Sequence, residues 1–206
     1  MFKAIAFNGS PRRNGNTHIM LSKMLEPVAA AGIGTELIQV GGKMLHGCMA
    51  CGKCAENKNN QCVIVNDMVN ECIAKMLEAD AIIFGSPSYF SGVTPELKAL
   101  IDRSGYVAIA NGRKFKHKIG AAVAVHRRGG AVNVFDSINH MFLMSQMIVP
   151  GSLYWNFGVG RESGEVAGDQ EAMNNMKDLG ETIAWLITAL RKNPKSENPF
   201  VPAGVE

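Results

Sequence analysis

What most constrains this chain is a repeated exchange between two hydrophobic periods. Short apolar runs suited to buried strands give way to helically spaced stretches, and the exchange recurs five times. Residues 3–7 form the first such run, closed by Asn8-Gly9-Ser10-Pro11. From Thr17 the apolar positions Ile19, Met20, Met24, Leu25 and Val28 predict a helix ending at Gly32. Pro27 predicts a kink or an early end near Glu26, because proline lacks an N–H and crowds the preceding turn. Residues 35–40 alternate with period two, as a half-exposed strand does, and Gly41-Gly42 ends them. Asn66 is expected to cap a helix through Val69, Ile73, Met76 and Leu77, with Asp67 favouring its positive end. A third strand over residues 81–84 closes at Gly85-Ser86-Pro87. Thr94-Pro95-Glu96 then starts a helix that places Leu97, Leu100 and Ile101 on one face. Residues 119–125 read as a fourth strand, followed by a helix with Val134, Phe135, Ile138, Met141 and Phe142 on its apolar side. The fifth strand is read as starting at Met147-Ile148-Val149, broken by Pro150-Gly151 and continued by Leu153-Tyr154-Trp155. Met173, Met176, Leu179, Ile183, Leu186, Ile187 and Leu190 mark a long last helix.

Such alternation is satisfied most economically by an α/β fold, a doubly wound five-stranded parallel sheet between two helical layers. Ligands of such sheets bind at the carboxyl ends of the strands, where the strand order reverses, so the chemistry is expected in the loops after strands one, three and four. At 206 residues the chain supports one core. Residues 1–192 are assigned to a single domain and 193–206 to a loosely held C-terminal tail. With 47% hydrophobic and 19% charged residues the bulk is not disordered. A net charge of +3, spread along the chain, does not indicate nucleic acid. No apolar run is long enough to span a bilayer, and residues 1–5 enter a strand-like run, so a cytoplasmic protein without a membrane partner is expected.

Residues 9–17, Gly-Ser-Pro-Arg-Arg-Asn-Gly-Asn-Thr, lead into a helix N-terminus and offer hydroxyls, amides and two guanidinium groups. Unpaired helix amides and arginine favour an anion there. Neither the Walker triplet nor Gly-x-Gly-x-x-Gly is present, so a monophosphate suits this loop better than an ordinary nucleotide motif would. Residues 86–92, Ser-Pro-Ser-Tyr-Phe-Ser-Gly, combine aromatic rings with small polar groups, the surroundings an isoalloxazine ring needs. The bland alternative is that Tyr89 and Phe90 only cover the next helix. His126-Arg127-Arg128-Gly129-Gly130 either brings backbone amides and arginine to the same ligand or forms a solvated basic turn.

Four of the five cysteines, Cys48, Cys51, Cys54 and Cys62, fall within fifteen residues in a segment without sustained periodicity, read as a loop inserted after strand two. Repeated x2 spacing is typical of thiolates taking the corners of an iron-sulfur cube, which makes a [4Fe-4S] cluster the leading reading. Tetrathiolate zinc, a Cys51–Cys54 redox dithiol and free thiols are the alternatives. Cys72 shares a helical face with Val69, Ile73 and Met76 and is expected to be a buried structural cysteine. His46 is expected on the surface.

The first loop and residues 86–103 together resemble the NADPH-dependent FMN reductase-like branch of the flavodoxin superfamily, and the cysteine segment resembles the iron-sulfur flavoproteins within it. The resemblance implies a flavodoxin-like fold, bound FMN, oxidoreductase activity and a homodimer or homotetramer. It implies phosphate contacts from Ser10, Arg12, Asn16 and Thr17. Pro87, Ser88, Tyr89, Phe90, Ser91 and Gly92 would line the ring, and Gly129 and Gly130 would approach it. Electrons would pass between the cluster, FMN and a small-molecule acceptor, with ferredoxin or NAD(P)H as redox partner. An NAD(P)H-dependent flavin or quinone reductase without a cluster and a non-catalytic flavodoxin-type carrier remain the rival functions.

Overall fold

The computed structural model describes residues 2–192, so the expected tail over residues 193–206 lies outside the described residues. Five strands, β1 (Lys3–Asn8), β2 (Gly34–Gln39), β3 (Ala81–Pro87), β4 (Ile119–His126) and β5 (Phe157–Val159), form a sheet in the order β2-β1-β3-β4-β5. All four pairings are parallel. The connection from β1 to β2 runs one way along the sheet and the later ones run the other way. Right-handed crossovers therefore put α1 (Asn16–Ala30) on one face and α3 (Val69–Glu78), α4 (Pro95–Ala110) and α5 (Ala131–Met144) on the other. The last helix, α6 (Gln170–Lys192), returns to pack beside α1. β1 and β3 are neighbours whose connections leave in opposite directions, and this opens a crevice at their carboxyl ends.

Alternation along each strand feeds two cores. Ile5, Phe7, Ile82 and Phe84 pack under α3, α4 and α5, whereas Ala4, Ala6, Ala81 and Ile83 pack under α1 and α6. The first core is filled by rings: Phe7 and Phe84 lie 5.5 Å apart, and Phe84 stacks on Phe142 at 5.4 Å. Phe142 has room because β4 carries Gly120, where a Cβ would stand 2.6 Å from its ring.

Four expectations require correction. Pro27 does not end α1 at Glu26, since the helix continues to Ala30. Its ring packs over Gly180 of α6, where a Cβ would lie 2.5 Å from Pro27 Cγ, so burial offsets the lost backbone donor. β5 does not include residues 147–149 or 153–155. Ile148 makes one isolated parallel bridge to Ile119, the chain then leaves the edge, and the true strand begins at Phe157. Between the two, Asn156 continues the edge by a mixed pairing: its backbone carbonyl accepts from Ala124 N–H, and its side chain donates to the Ala122 carbonyl at 3.1 Å. α3 starts after Met68 rather than Asn66, and Asp67 is committed to a buried ion pair as well as to the helix start. The cysteine segment is not wholly irregular either. It contains the five-residue helix α2 (Lys53–Asn57), too short to leave a periodic signal.

Candidate functional site

The turn after β1 is fastened from three sides. Asn8, buried at the end of β1, accepts the Ser10 N–H at 3.0 Å and donates to Gln39 Oε1 at 2.7 Å. Gln39 donates in turn to the Ser10 and Gly41 carbonyls at 2.6 and 2.7 Å. Thr94 stands at the N-cap of α4, but its hydroxyl donates to the Gly9 carbonyl at 2.7 Å and not to the helix. Gly41 lies so close that a Cβ there would stand 2.3 Å from the Ser10 carbonyl carbon. The sequence offers β2 and the turn as separate elements, and only the paired strands bring Gln39 to Asn8.

This rigid turn delivers the chain to α1, whose first amides have no side-chain cap. Ser10 and Thr17 are buried there, and Ser10 Oγ accepts the Arg12 N–H at 3.2 Å. Arg12 Nη1 donates to the Arg161 carbonyl at 2.7 Å. Asn16 donates to the Glu162 carbonyl and accepts the Gly164 N–H, both at 2.8 Å, so its amide braces the segment after β5. Ser10, Arg12, Asn16 and Thr17 all line one cleft.

The opposite wall comes from the ends of β3 and β4. Pro87, Ser88 and Tyr89 line it together with Val125, His126 and Arg127. Ser88 N–H donates to the Val125 carbonyl at 2.7 Å, which fixes this loop to β4. Tyr89 and Gly92 exchange two backbone hydrogen bonds of 2.9 Å around Phe90 and Ser91, whose φ values of 49° and 62° define a tight left-handed turn. Phe90, Ser91 and Gly92 thus form the tip beyond the cleft wall, with Phe90 fully exposed. Gly130, at φ 85°, rests against this turn, and a Cβ there would lie 2.5 Å from Ser88 Oγ. Gly129 faces open space.

The cleft also contains Gly160 and Arg161, which sequence reasoning did not single out. They follow the true fifth strand, and in the sequence only the nearby pair Gly158 and Gly160 marks this loop. His126 contributes the other unanticipated feature. Its Nδ1 is buried without a hydrogen-bond partner among the described residues.

A second hollow lies beside α4. Cys48, Cys51, Cys54 and Cys62 all line it, with Met49, Ile64, Tyr106 and Arg103 among the other wall residues. Cys48 and Cys51 are exposed, Cys62 is half-buried and Cys54 is buried, which pushes its thiol up. Side chains of α3 and α4, together with the Asn111 that ends α4, hold the backbone here. Asn70 accepts the Cys62 N–H and donates to its carbonyl, both at 2.8 Å. Asn111 donates to the Cys54 carbonyl at 3.2 Å and accepts the Asn60 N–H at 3.0 Å. Arg103 and Asp67 form an ion pair with both side chains fully buried. Burial alone would raise the Asp67 carboxyl, but the Arg103 guanidinium and the His46 and Val69 amides hold it below the usual carboxylate range. Among the described residues no three His, Cys, Asp or Glu side chains converge on a single ion. Cys72 is buried in α3 away from the hollow, and burial pushes its thiol up to about 12. His46 is exposed, as expected, although its backbone is held by Asp67 and Arg103.

Sheet order and the cleft at the strand reversal define a flavodoxin-like α/β protein. The chain belongs to the NADPH-dependent FMN reductase family, whose model matches residues 2–162. It is an FMN-dependent oxidoreductase. It is 38% identical to an iron-sulfur flavoprotein of Methanocaldococcus jannaschii over 92% of this chain and 100% of that protein. Identity to an iron-sulfur flavoprotein of Methanosarcina thermophila is 30%, over 93% of this chain and 98% of that one. Among solved structures it is similar to RosB with a bound riboflavin-phosphate intermediate, at TM-score 0.71 and 17% identity, covering 94% of this chain and 82% of that one. A WrbA-like flavodoxin of Agrobacterium tumefaciens shares the fold at TM-score 0.64 and 14% identity, covering 92% and 99%. No helix among the described residues is long and apolar enough to cross a membrane.

Proposed function

We propose that this protein passes electrons between FMN in the cleft, a [4Fe-4S] cluster on Cys48, Cys51, Cys54 and Cys62, and an external small-molecule acceptor. The observation that carries this reading is the four-cysteine hollow, since thiols spread along fifteen residues of sequence line one space. A cube takes one thiolate per iron, and four cysteines line this hollow. The segment between β2 and α3 is then an insertion built to present these cysteines. Relatives bearing the name iron-sulfur flavoprotein and matching nearly the whole chain support the same reading.

The residues of the cleft fit FMN. The uncapped amides of α1, with Ser10, Arg12 and Thr17, suit a phosphate dianion. His126, whose Nδ1 is buried without a hydrogen-bond partner among the described residues, lines the same cleft. When bound, FMN supplies hydride and single-electron chemistry and the cluster single-electron transfer. The chain's own work is to hold and exclude. Arg12 and Asn16 keep the 160–164 segment closed over the phosphate end, and Pro87, Ser88 and Tyr89 form the ring wall, with the Phe90–Gly92 turn and Gly129–Gly130 behind it.

Ferredoxin or NAD(P)H is the proposed electron donor, in a cytoplasmic homodimer or homotetramer. Exposed Leu153, Tyr154 and Trp155 supply apolar surface for assembly. Anaerobic purification with flavin, iron and sulfide measured together tests the proposal: FMN with iron and sulfide in equal amounts is expected, and FMN alone overturns the cluster. A second reading, an NAD(P)H-dependent flavin or quinone reductase lacking a cluster, is favoured by Arg127 and Arg161. Together with Arg12 they bring more positive charge to the cleft than one phosphate requires. Bleaching of the flavin by NAD(P)H in iron-free protein would support it.

A further inference from the structure

We propose that Arg103 is a positioning residue for the cysteine site, presenting Cys62 to the cluster and raising the cluster's reduction potential through a hydrogen bond to the Cys62 sulfur. The inference rests on the cluster reading above and concerns one side chain outside the cysteine motif. Arg103 projects from α4 and is fully buried. Its Nε donates to Cys62 Sγ at 3.3 Å, a close approach for sulfur. Nη1 donates to the His46 carbonyl at 3.1 Å and to Asp67, and Nη2 donates to the Ile64 carbonyl at 2.9 Å. One guanidinium therefore ties together the chain two residues before Cys48, the Cys62 sulfur and the chain two residues beyond it. Asp67 completes the tie by accepting the His46 N–H at 3.0 Å and the Val69 N–H at 3.2 Å.

A purely structural clamp would account for the carbonyl and carboxylate contacts. It does not account for the remaining donor being aimed at a thiol, when a planar fork with five N–H groups has other ways to be satisfied. Reduction places an additional electron on a cluster and its sulfurs. A buried N–H directed at one of those sulfurs stabilises the reduced state more than the oxidised one, and so raises the potential. Asp67 offsets the full positive charge, leaving the directed N–H bond as the main influence. The two partners thus act with opposite sign. Weakening the Arg103 bond lowers the potential, whereas neutralising Asp67 leaves the guanidinium uncompensated and raises it.

The test uses anaerobically purified or reconstituted protein in three forms, wild type, Arg103→Lys and Asp67→Asn, with iron and sulfide per chain, apoprotein melting temperature and the cluster midpoint potential measured on each. Lysine keeps a cation but lacks the fork. Expected for Arg103→Lys is a loaded cluster whose reduction equilibrium is about tenfold less favourable, a fall of about 59 mV for one electron. Asp67→Asn is expected to shift the midpoint upward. Loss of iron from Arg103→Lys with an unchanged apoprotein melting temperature also supports the positioning role. Unchanged midpoints in loaded variants, shifts of the same sign in both, or failure of both variants to fold would reduce Arg103 to a structural clamp and overturn the proposal. Wild-type protein without iron and sulfide would instead overturn the cluster reading, whatever the variants do.

Discussion

Asp67 shows how far one side chain's role depends on surroundings that no local pattern reveals. Its place ahead of a helix suggests a carboxylate meeting the positive end of α3, and one oxygen does accept the Val69 N–H. The other is drawn into the buried pair with Arg103, thirty-six residues away. Because the folded carboxyl is held below its usual range, the pair's contribution is fully present above the unfolded value of about 4. It is lost as pH falls below that through the depressed folded value. Asp67→Asn is therefore expected to destabilise the protein by about 3–5 kcal/mol near neutral pH, since an unpaired buried guanidinium remains. The difference from wild type should narrow towards pH 3. Urea unfolding at pH 7 and pH 3 checks this, and a difference that does not change with pH would remove Asp67 titration as its cause. A chain of this length carries roughly 10–30 kcal/mol of stability, so the variant remains folded.

Elements were legible in proportion to their length. β1, β3, β4 and the helices that follow them repeat a period often enough to be read, and their boundaries moved by only a few residues. β5 and α2 have three and five residues, too few to carry a period, so the sequence pattern places the strand too early and gives no sign of the helix. Pro27 misled for a different reason, because its cost is local while its compensation lies in another element. α1 and α6 meet where Pro27 faces Gly180, and a Cβ at that glycine would stand 2.1 Å from the Met24 carbonyl oxygen. Gly180→Ala is expected to force the helices apart and cost about 3 kcal/mol, seen as a lower urea midpoint at unchanged slope. A variant as stable as wild type would mean that the two helices can separate freely.

At the scale of the molecule, the order of strand and helix placed the cleft correctly, because a doubly wound sheet has few topologies and its reversal point dictates where loops converge. The first and second loops meet there as the sequence suggested, bringing Ser10, Arg12, Asn16, Thr17, Pro87, Ser88 and Tyr89 to one space. The brace from Asn16 to the 160–164 segment and the network through Asn8 and Gln39 were not legible. They join residues brought together only by the completed sheet. Arg12 belongs to both accounts, as a proposed anion ligand and as a tie to Arg161. Arg12→Ala is expected to weaken FMN binding by roughly 10- to 100-fold, the loss of one charge-assisted hydrogen bond. Fluorescence titration of the apoprotein measures this directly, and an unchanged affinity would place the phosphate elsewhere. The thermal shift produced by a fixed excess of FMN should shrink accordingly.

The asparagine, arginine and aspartate props around the cysteine hollow come from α3, α4 and their immediate ends, and each is fastened to protein groups. If the proposed cluster sits there, its loss to oxygen would leave these ties to keep the shape of the vacated seat. Repair would then require only fresh iron, sulfide and reductant rather than a newly synthesised polypeptide.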